Sequence, residues 1–141
     1  MPERMTPNST VNLMPDARRL LFNVAAGLLG TGVVLAALLA LVNDPAWWRG
    51  FVAASIVSLL AASASVLPLI WGTRHGLMPA VAGYFASAGL RAVVSLGGCA
   101  LAVLKGGYPR TPTMLLMVVF YFALLAVESA TMARALWSAK A

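Results

Sequence analysis

Two charged residues, Arg91 and Glu128, each interrupt an apolar segment that is long enough to cross a membrane. A charge in the middle of a bilayer costs about 2.5–3.5 kcal/mol on insertion scales, so it marks a binding site, a relay or an internal pair. If the two segments run in opposite directions, the depths of these residues differ by about one helical turn. Because an arginine side chain can cover that distance, the sequence predicts an ion pair between the third and fourth spans.

The sequence leaves two interpretations of this pair open. In the first, the pair fixes which helix faces which. In the second, it binds or relays a proton, a metal ion or a carboxylate of a partner. Glu128 has no second carboxylate in its span, which disfavours a site for a divalent metal. Further polar residues are candidates to line the same interior, namely Asn23, Tyr84, Ser87, Ser95 and Tyr121.

The residues needed for most other chemistry are scarce. The chain has four acidic residues and one cysteine, Cys99, which excludes an internal disulfide and a cysteine-based zinc site. It carries no catalytic triad, no glycine-rich phosphate loop and no cofactor motif. One interior carboxylate and one interior arginine do not form an acid–base pair near neutral pH. We therefore expect a non-enzymatic protein with no cofactor and no metal.

The composition indicates which environment these residues occupy. Of 141 residues, 61% are hydrophobic and 10% are charged, with a mean hydropathy of +0.88. Soluble domains carry about 25% charged residues, so the expected partner is the lipid bilayer. The net charge is +6, but the basic residues lie at the ends of apolar runs and form no stripe with exposed aromatics. That distribution is typical of topology control and argues against nucleic-acid binding.

Four apolar segments have the length that a membrane span requires, about 20 residues. They cover residues 20–42, 51–71, 79–104 and 114–137. Lipid offers no partners for backbone polar groups, so each segment must be a helix. The connections are short, which predicts an antiparallel up-down-up-down bundle in an all-α integral membrane protein. The first segment exceeds the 7–15 apolar residues, roughly, of a signal peptide, so we interpret it as a retained span.

The basic residues that flank the spans predict the orientation. One side carries six of them and the other carries three, which places both termini in the cytoplasm. The six are Arg4, Arg18, Arg19, Arg74, Arg134 and Lys140, and the three are Arg49, Lys105 and Arg110. Residues 1–17 read as a polar, disordered cytoplasmic tail, and residues 18–141 as the membrane domain.

Small residues recur at helical spacing along the spans. In a membrane, helices associate through close packing of such residues rather than through apolar burial. They are expected to hold this bundle together, with contact to a second copy or to another protein as the alternative. The candidate packing residues are Gly32, Ala36, Ala54, Ser58, Ala62 and Gly83.

The order of these features resembles the ATP synthase protein I family, small bacterial four-span proteins associated with the rotary ATP synthase. The similarity covers about residues 18–137 and departs from the family at one position. The family carries a membrane-embedded acidic residue three positions before a basic one, and here that position is Ala88, before Arg91. The similar features are Arg18, Arg19 and Leu20 at the entry to the first span, the small-residue segment 50–65 that closes at Pro68 and is followed by Trp71 and Arg74, and the segment 84–91.

The resemblance implies a bacterial inner-membrane protein that assists assembly or stability of the ring of c subunits, with a proposed role in magnesium transport. The missing carboxylate at Ala88 counts more against ion transport than against assembly. A small proton- or cation-coupled transporter is the first alternative, with Glu128 as its exchanging group. Arg91 disfavours it, because a guanidinium repels cations and keeps a nearby carboxylate ionised. A structural subunit of another inner-membrane complex is the second alternative.

Overall fold

Four long helices make up the part of the chain that the computed structural model describes, residues 17–75 and 77–138. They are α1 (Ala17–Val42), α2 (Pro45–His75), α3 (Leu77–Leu104) and α4 (Arg110–Ser138). Each contains a segment that is long and apolar enough to cross a membrane, by length and composition. These segments are Leu21–Val42, Pro45–Gly72, Met78–Leu104 and Arg110–Arg134. The predicted all-helical class is therefore confirmed, with four helices that have the length and apolar character of membrane spans. The predicted tail, apart from Ala17, lies outside the described residues.

All four helices begin earlier than the predicted spans, and the difference is largest for α2 and α4. α2 begins at Pro45 rather than at residue 51, because Asp44 Oδ1 accepts a hydrogen bond from the Ala46 N–H at 2.9 Å. An aspartate before the helix and a proline at its first position are typical of a helix start. α4 begins at Arg110 rather than at residue 114. The predicted bounds follow the apolar residues, whereas the capping residue Asp44 determines where α2 starts.

α2 also continues beyond its predicted end at residue 71. It passes through Pro68 and ends at His75, whose Nδ1 lies 2.7 Å from the Trp71 carbonyl oxygen. The connection to α3 is short, because α3 begins at Leu77.

The other two connections are also short, and each contains a residue with a positive φ. Asn43 lies between α1 and α2 with a φ of 51°, and its N–H donates to the Leu39 carbonyl at 3.0 Å. Asparagine is one of the few residues with a side chain that adopts this left-handed conformation readily. Gly107 has a φ of 63° in the connection between α3 and α4. Arg49 of α2 lies over the ring of Tyr108 in this connection, 5.8 Å from its centroid.

The main apolar core contains side chains from all four helices. The rings of Phe51 and Phe120 lie 6.1 Å apart at its edge. A second, smaller apolar cluster joins α1, α2 and α4 through Val24, Ala62 and Leu124. The buried residues of the main core are Leu39, Ala54, Val57, Cys99, Leu116, Met117 and Phe120.

α2 and α3 approach each other closely where two glycines meet. A Cβ added to Gly83 would lie 2.7 Å from the Pro68 carbonyl oxygen and 3.1 Å from the Gly72 Cα. A Cβ on Gly72 would likewise meet the Pro79 carbonyl oxygen. Backbone atoms cannot move aside as a flexible side chain can, so this contact requires glycine at both positions.

α1 is the least covered helix. Of the residues in its most apolar stretch, 11% are buried, against 44% for α2. Its exposed side chains are mostly large and apolar, such as Phe22, Leu29 and Leu41. It still contacts α4, because a Cβ on Gly27 would lie 2.9 Å from Val127 Cγ2.

Candidate functional site

Arg91 of α3 and Glu128 of α4, the two charges predicted to pair, are in contact inside the bundle. Arg91 Nη2 donates to Glu128 Oε1. The exposed fractions of the two residues are 1% and 2%, and Arg91 is the largest fully buried side chain among the described residues. Two opposite charges removed from solvent in this way neutralise each other, whereas either one alone would be strongly destabilising.

Ser65 of α2 extends the pair to a third helix. Arg91 Nη2 donates to Ser65 Oγ at 2.8 Å, and Ser65 Oγ donates to the Ala62 carbonyl oxygen at 2.8 Å. The hydroxyl therefore serves as acceptor and donor at once. Through it, one guanidinium links α2, α3 and α4.

A repeat of four residues on α3 places Arg91 in the interior. Residues four apart lie on the same face of a helix. Here Gly83, Ser87, Arg91, Ser95 and Cys99 are all buried. Ser87 lies one turn before Arg91 and has no exposed surface. We refer to Ser65, Ser87, Arg91 and Glu128 as the polar cluster.

The other predicted polar residues occupy different places. Ser95 is buried one turn after Arg91. Tyr84 is half-buried, and its hydroxyl lies 2.8 Å from Ser129 Oγ on α4. Tyr121 is half-buried with its ring 5.9 Å from that of Phe122. Asn23 is exposed on α1, so the structure does not bring it to the polar cluster.

The predicted packing residues of α2 and α3 lie in the interior. Ala54, Ser58 and Ala62 are buried along one face of α2, and Ser58 Oγ donates to Met117 Sδ at 3.7 Å. Gly83 makes the close contact with Gly72 described above.

The two predicted packing residues on α1 are less covered. Ala36 is half-buried. No heavy atom lies within 4 Å of the position that a Cβ would take on Gly32.

Two contributors to these contacts are missing from the residues that the sequence singles out. Ser65 is not among the predicted site residues, because the sequence offers it, or Ser63, only as a partner for a carbonyl freed by Pro68; its hydroxyl instead binds Arg91 and the Ala62 carbonyl. The signal for Ser65 is its spacing of three from Ala62, on the face that already contains small residues. The sequence places Gly72 in the connection after the second span, whereas it lies within α2 and contacts Gly83.

The arrangement offers little to a metal ion. Among residues 17–75 and 77–138, no group of three His, Cys, Asp or Glu side chains lies together. A single carboxylate that faces a guanidinium is also a poor ligand for a cation. The polar cluster is chemically a neutral ion pair whose guanidinium also donates to one serine hydroxyl, that of Ser65.

No family model, no curated protein and no solved structure matches this chain. The resemblance to the ATP synthase protein I family therefore stays a prediction that depends on the residues quoted for it.

Proposed function

We propose that this protein is a non-enzymatic accessory protein of the bacterial inner membrane that assists assembly or stability of the ATP synthase c ring. The identity of the partner comes from the resemblance noted in the sequence. The accessory character comes from the polar cluster, whose charges serve the bundle itself. A protein of this kind acts through its shape and its lipid-facing surfaces rather than through a reacting group.

The observation that carries this proposal is the contact of Arg91 with both Glu128 and Ser65. Both charged residues are almost completely buried. A transporter that uses Glu128 must release it from Arg91 in every cycle, and the uncompensated arginine would then lie in a low-dielectric interior. Holding three helices in register requires no such step. The geometry thus favours the first interpretation, in which the ion pair fixes which helix faces which, over the relay. We refer to this structural role of the pair as the clamp.

In this proposal the helices run alternately up and down, with both termini in the cytoplasm. The two-residue connection between α1 and α2 supports this topology. So does the order of contacts, because Gly72 near the end of α2 meets Gly83 near the start of α3, whereas a Cβ on Gly98 would meet Val57. The orientation follows from the excess of basic residues on one side.

The proposed contact with c subunits involves α1 more than the other helices. α1 is the least covered helix, and its exposed surface is apolar, with the small residues Ala26, Gly30 and Ala37 among larger side chains. Close approach of a partner helix in lipid depends on such residues. Val33, with 68% of its surface exposed, is a suitable position for a probe on this face.

Site-specific photo-cross-linking in the bacterial membrane tests the partner. In one variant a photoreactive residue replaces Val33 on α1. In a matched control variant the same residue replaces Ala61 of α2, which is fully buried. We expect the Val33 probe to capture c subunits and the Ala61 probe to give cross-links within the chain only. Assembly is followed in parallel as the amount of c ring in cells that lack the protein.

Two results would contradict the proposal. One is a normal amount of assembled c ring in cells that lack the protein. The other is a set of Val33 cross-links in which c subunits are absent. Proton-coupled uptake of a cation by the purified protein in liposomes would instead favour the transporter alternative.

A further inference from the structure

Four polar groups of the polar cluster have no hydrogen-bond partner within the described part of the chain. They are Arg91 Nε, Arg91 Nη1, Glu128 Oε2 and Ser87 Oγ. The exposed fraction of each of these residues is 2% or less. Buried polar groups in proteins nearly always have a partner, because leaving one without a hydrogen bond is costly. The requirement is stricter in a bundle that is surrounded by lipid.

A rearrangement of the side chains within the cluster does not supply enough partners. A guanidinium carries five N–H donors. If Glu128 accepted two of them and Ser65 accepted one, as it does in the structure, two donors would remain. Ser87 Oγ could accept one of these, and the last would still have no side-chain acceptor in the cluster. With one hydrogen bond for each of the four side-chain oxygens of the cluster, one of the five N–H groups of Arg91 is therefore left without an acceptor.

The chemistry of these groups limits what can bind them. The free nitrogens need an acceptor, whereas the free Glu128 Oε2 needs a donor, so the ligand must do both. A halide cannot donate, and a metal cation cannot accept from N–H groups. Arg91 and Glu128 neutralise each other, so the site favours a neutral ligand. Water meets all of these conditions and commonly fills such positions in protein interiors.

The geometry points to an internal water site at Arg91, held between α2, α3 and α4. The bound water accepts from Arg91 Nε or Nη1 and donates to Glu128 Oε2. It gives the carboxylate a second hydrogen bond and gives the guanidinium a further acceptor. This site is independent of the identity of the protein partner proposed above, because it depends only on contacts within the chain.

Solid-state NMR of the full chain in lipid bilayers tests this site directly. The arginines carry ¹⁵N, and magnetisation is transferred from water protons to the side-chain N–H groups. Arg74, which is exposed at the end of α2, serves as the reference for contact with bulk water. A water-soluble paramagnetic ion is then added, which broadens signals in contact with bulk water.

We expect a water cross-peak at Arg91 Nε–H that survives the paramagnetic ion, and a cross-peak at Arg74 that is lost. No cross-peak at Arg91 would overturn the inference. So would a cross-peak at Arg91 that is lost together with that of Arg74, since the pair would then face bulk water.

A variant at a distant hydroxyl provides the control. Thr113 Oγ1 is also buried without a partner, near the start of α4 and far along the chain from Glu128. Thr113→Val should leave the Arg91 cross-peak unchanged. Loss of that cross-peak in Thr113→Val would also overturn the inference, because the water would not then be held by the polar cluster.

Discussion

The interior formed by α2, α3 and α4 differs from the exposed helix α1 in the contacts that hold the helices together. In the interior, Arg91 links three helices, and Gly72 meets Gly83 with their backbones in contact. On α1, no heavy atom lies within 4 Å of a Cβ at Gly30 or Gly32. Small residues occur in both regions, yet the close backbone contacts are made in the interior, by Gly72 and Gly83 between α2 and α3 and by Gly50 between α2 and α4.

This difference shows that the small residues of an apolar helix do not by themselves reveal whether it packs closely against another helix of the chain. Lipid is as apolar as leucine, so burial gives little driving force and specific contacts determine which helices associate. A contact between backbones or between charges fixes a partner and a register. We therefore expect substitutions in the interior to change stability strongly and equivalent substitutions on α1 to change it little.

The largest effect is expected from removal of one charge. Glu128→Leu leaves Arg91 buried without a counter-charge, which should reduce the free energy of unfolding by about 3–5 kcal/mol. Unfolding is measured in bicelles. Ala126→Leu, which introduces the same side chain at an exposed position on the same helix, is the control and should have an effect within about 0.5 kcal/mol. Equal stability of Glu128→Leu and the native chain would mean that Arg91 does not depend on Glu128.

The next largest loss in the free energy of unfolding is expected when a methyl group is added where α2 contacts α3. Gly83→Ala places a methyl group against the Pro68 carbonyl oxygen, and such overpacking should cost about 1–3 kcal/mol. Gly30→Ala is the matched substitution on α1, where there is open space, and should be neutral or stabilising by up to about 1 kcal/mol, because alanine has the higher helix propensity. The same unfolding measurement compares the two. Similar values for both variants would remove the distinction between the interior and α1.

A smaller effect is expected from the serine that joins α2 to the pair. Ser65→Ala removes the hydrogen bond from Arg91, and such bonds between membrane helices contribute about 0.6–1.7 kcal/mol. Ser63→Ala is the control, because the Ser63 hydroxyl is exposed and binds only the Leu59 carbonyl of its own helix. If Ser63→Ala reduced the free energy of unfolding as much as Ser65→Ala does, the loss in Ser65→Ala could not be assigned to its hydrogen bond with Arg91.

The smallest effect is expected at the Tyr84–Ser129 hydrogen bond, which is exposed at the edge of the bundle. Tyr84→Phe retains the ring and removes the hydroxyl, so the loss should be below about 0.6 kcal/mol. A loss larger than that of Ser65→Ala would place Tyr84 among the residues that hold α3 against α4.

Much of the fold could be predicted from residue type alone. The length and apolar character of the segments require helices, because backbone groups in lipid must be satisfied within each segment. The meeting of Arg91 with Glu128 followed from the cost of an isolated charge. The ends of the helices were harder to predict, because Asp44 and Pro45 start α2 well before the apolar run that marks the span.

The contacts of small residues could not be predicted with the same success. A stripe of such residues shows that close packing is possible, but it does not identify the partner. Gly72 and Gly83 meet at a place where a Cβ on either of them would collide with a backbone carbonyl of the facing helix, that of Pro79 or of Pro68. Asn23 looked equally suited to the interior, yet it is exposed on α1. Which face turns inward depends on neighbours that a single helix does not specify.

The most direct test of the clamp is a reversal of both charges. The free energy of unfolding is measured for the native chain, for Arg91→Glu, for Glu128→Arg and for the double variant. If the two residues hold α3 against α4 by pairing, each single reversal places like charges together, and the double variant should recover stability relative to both. A double variant as damaged as either single variant would contradict the clamp.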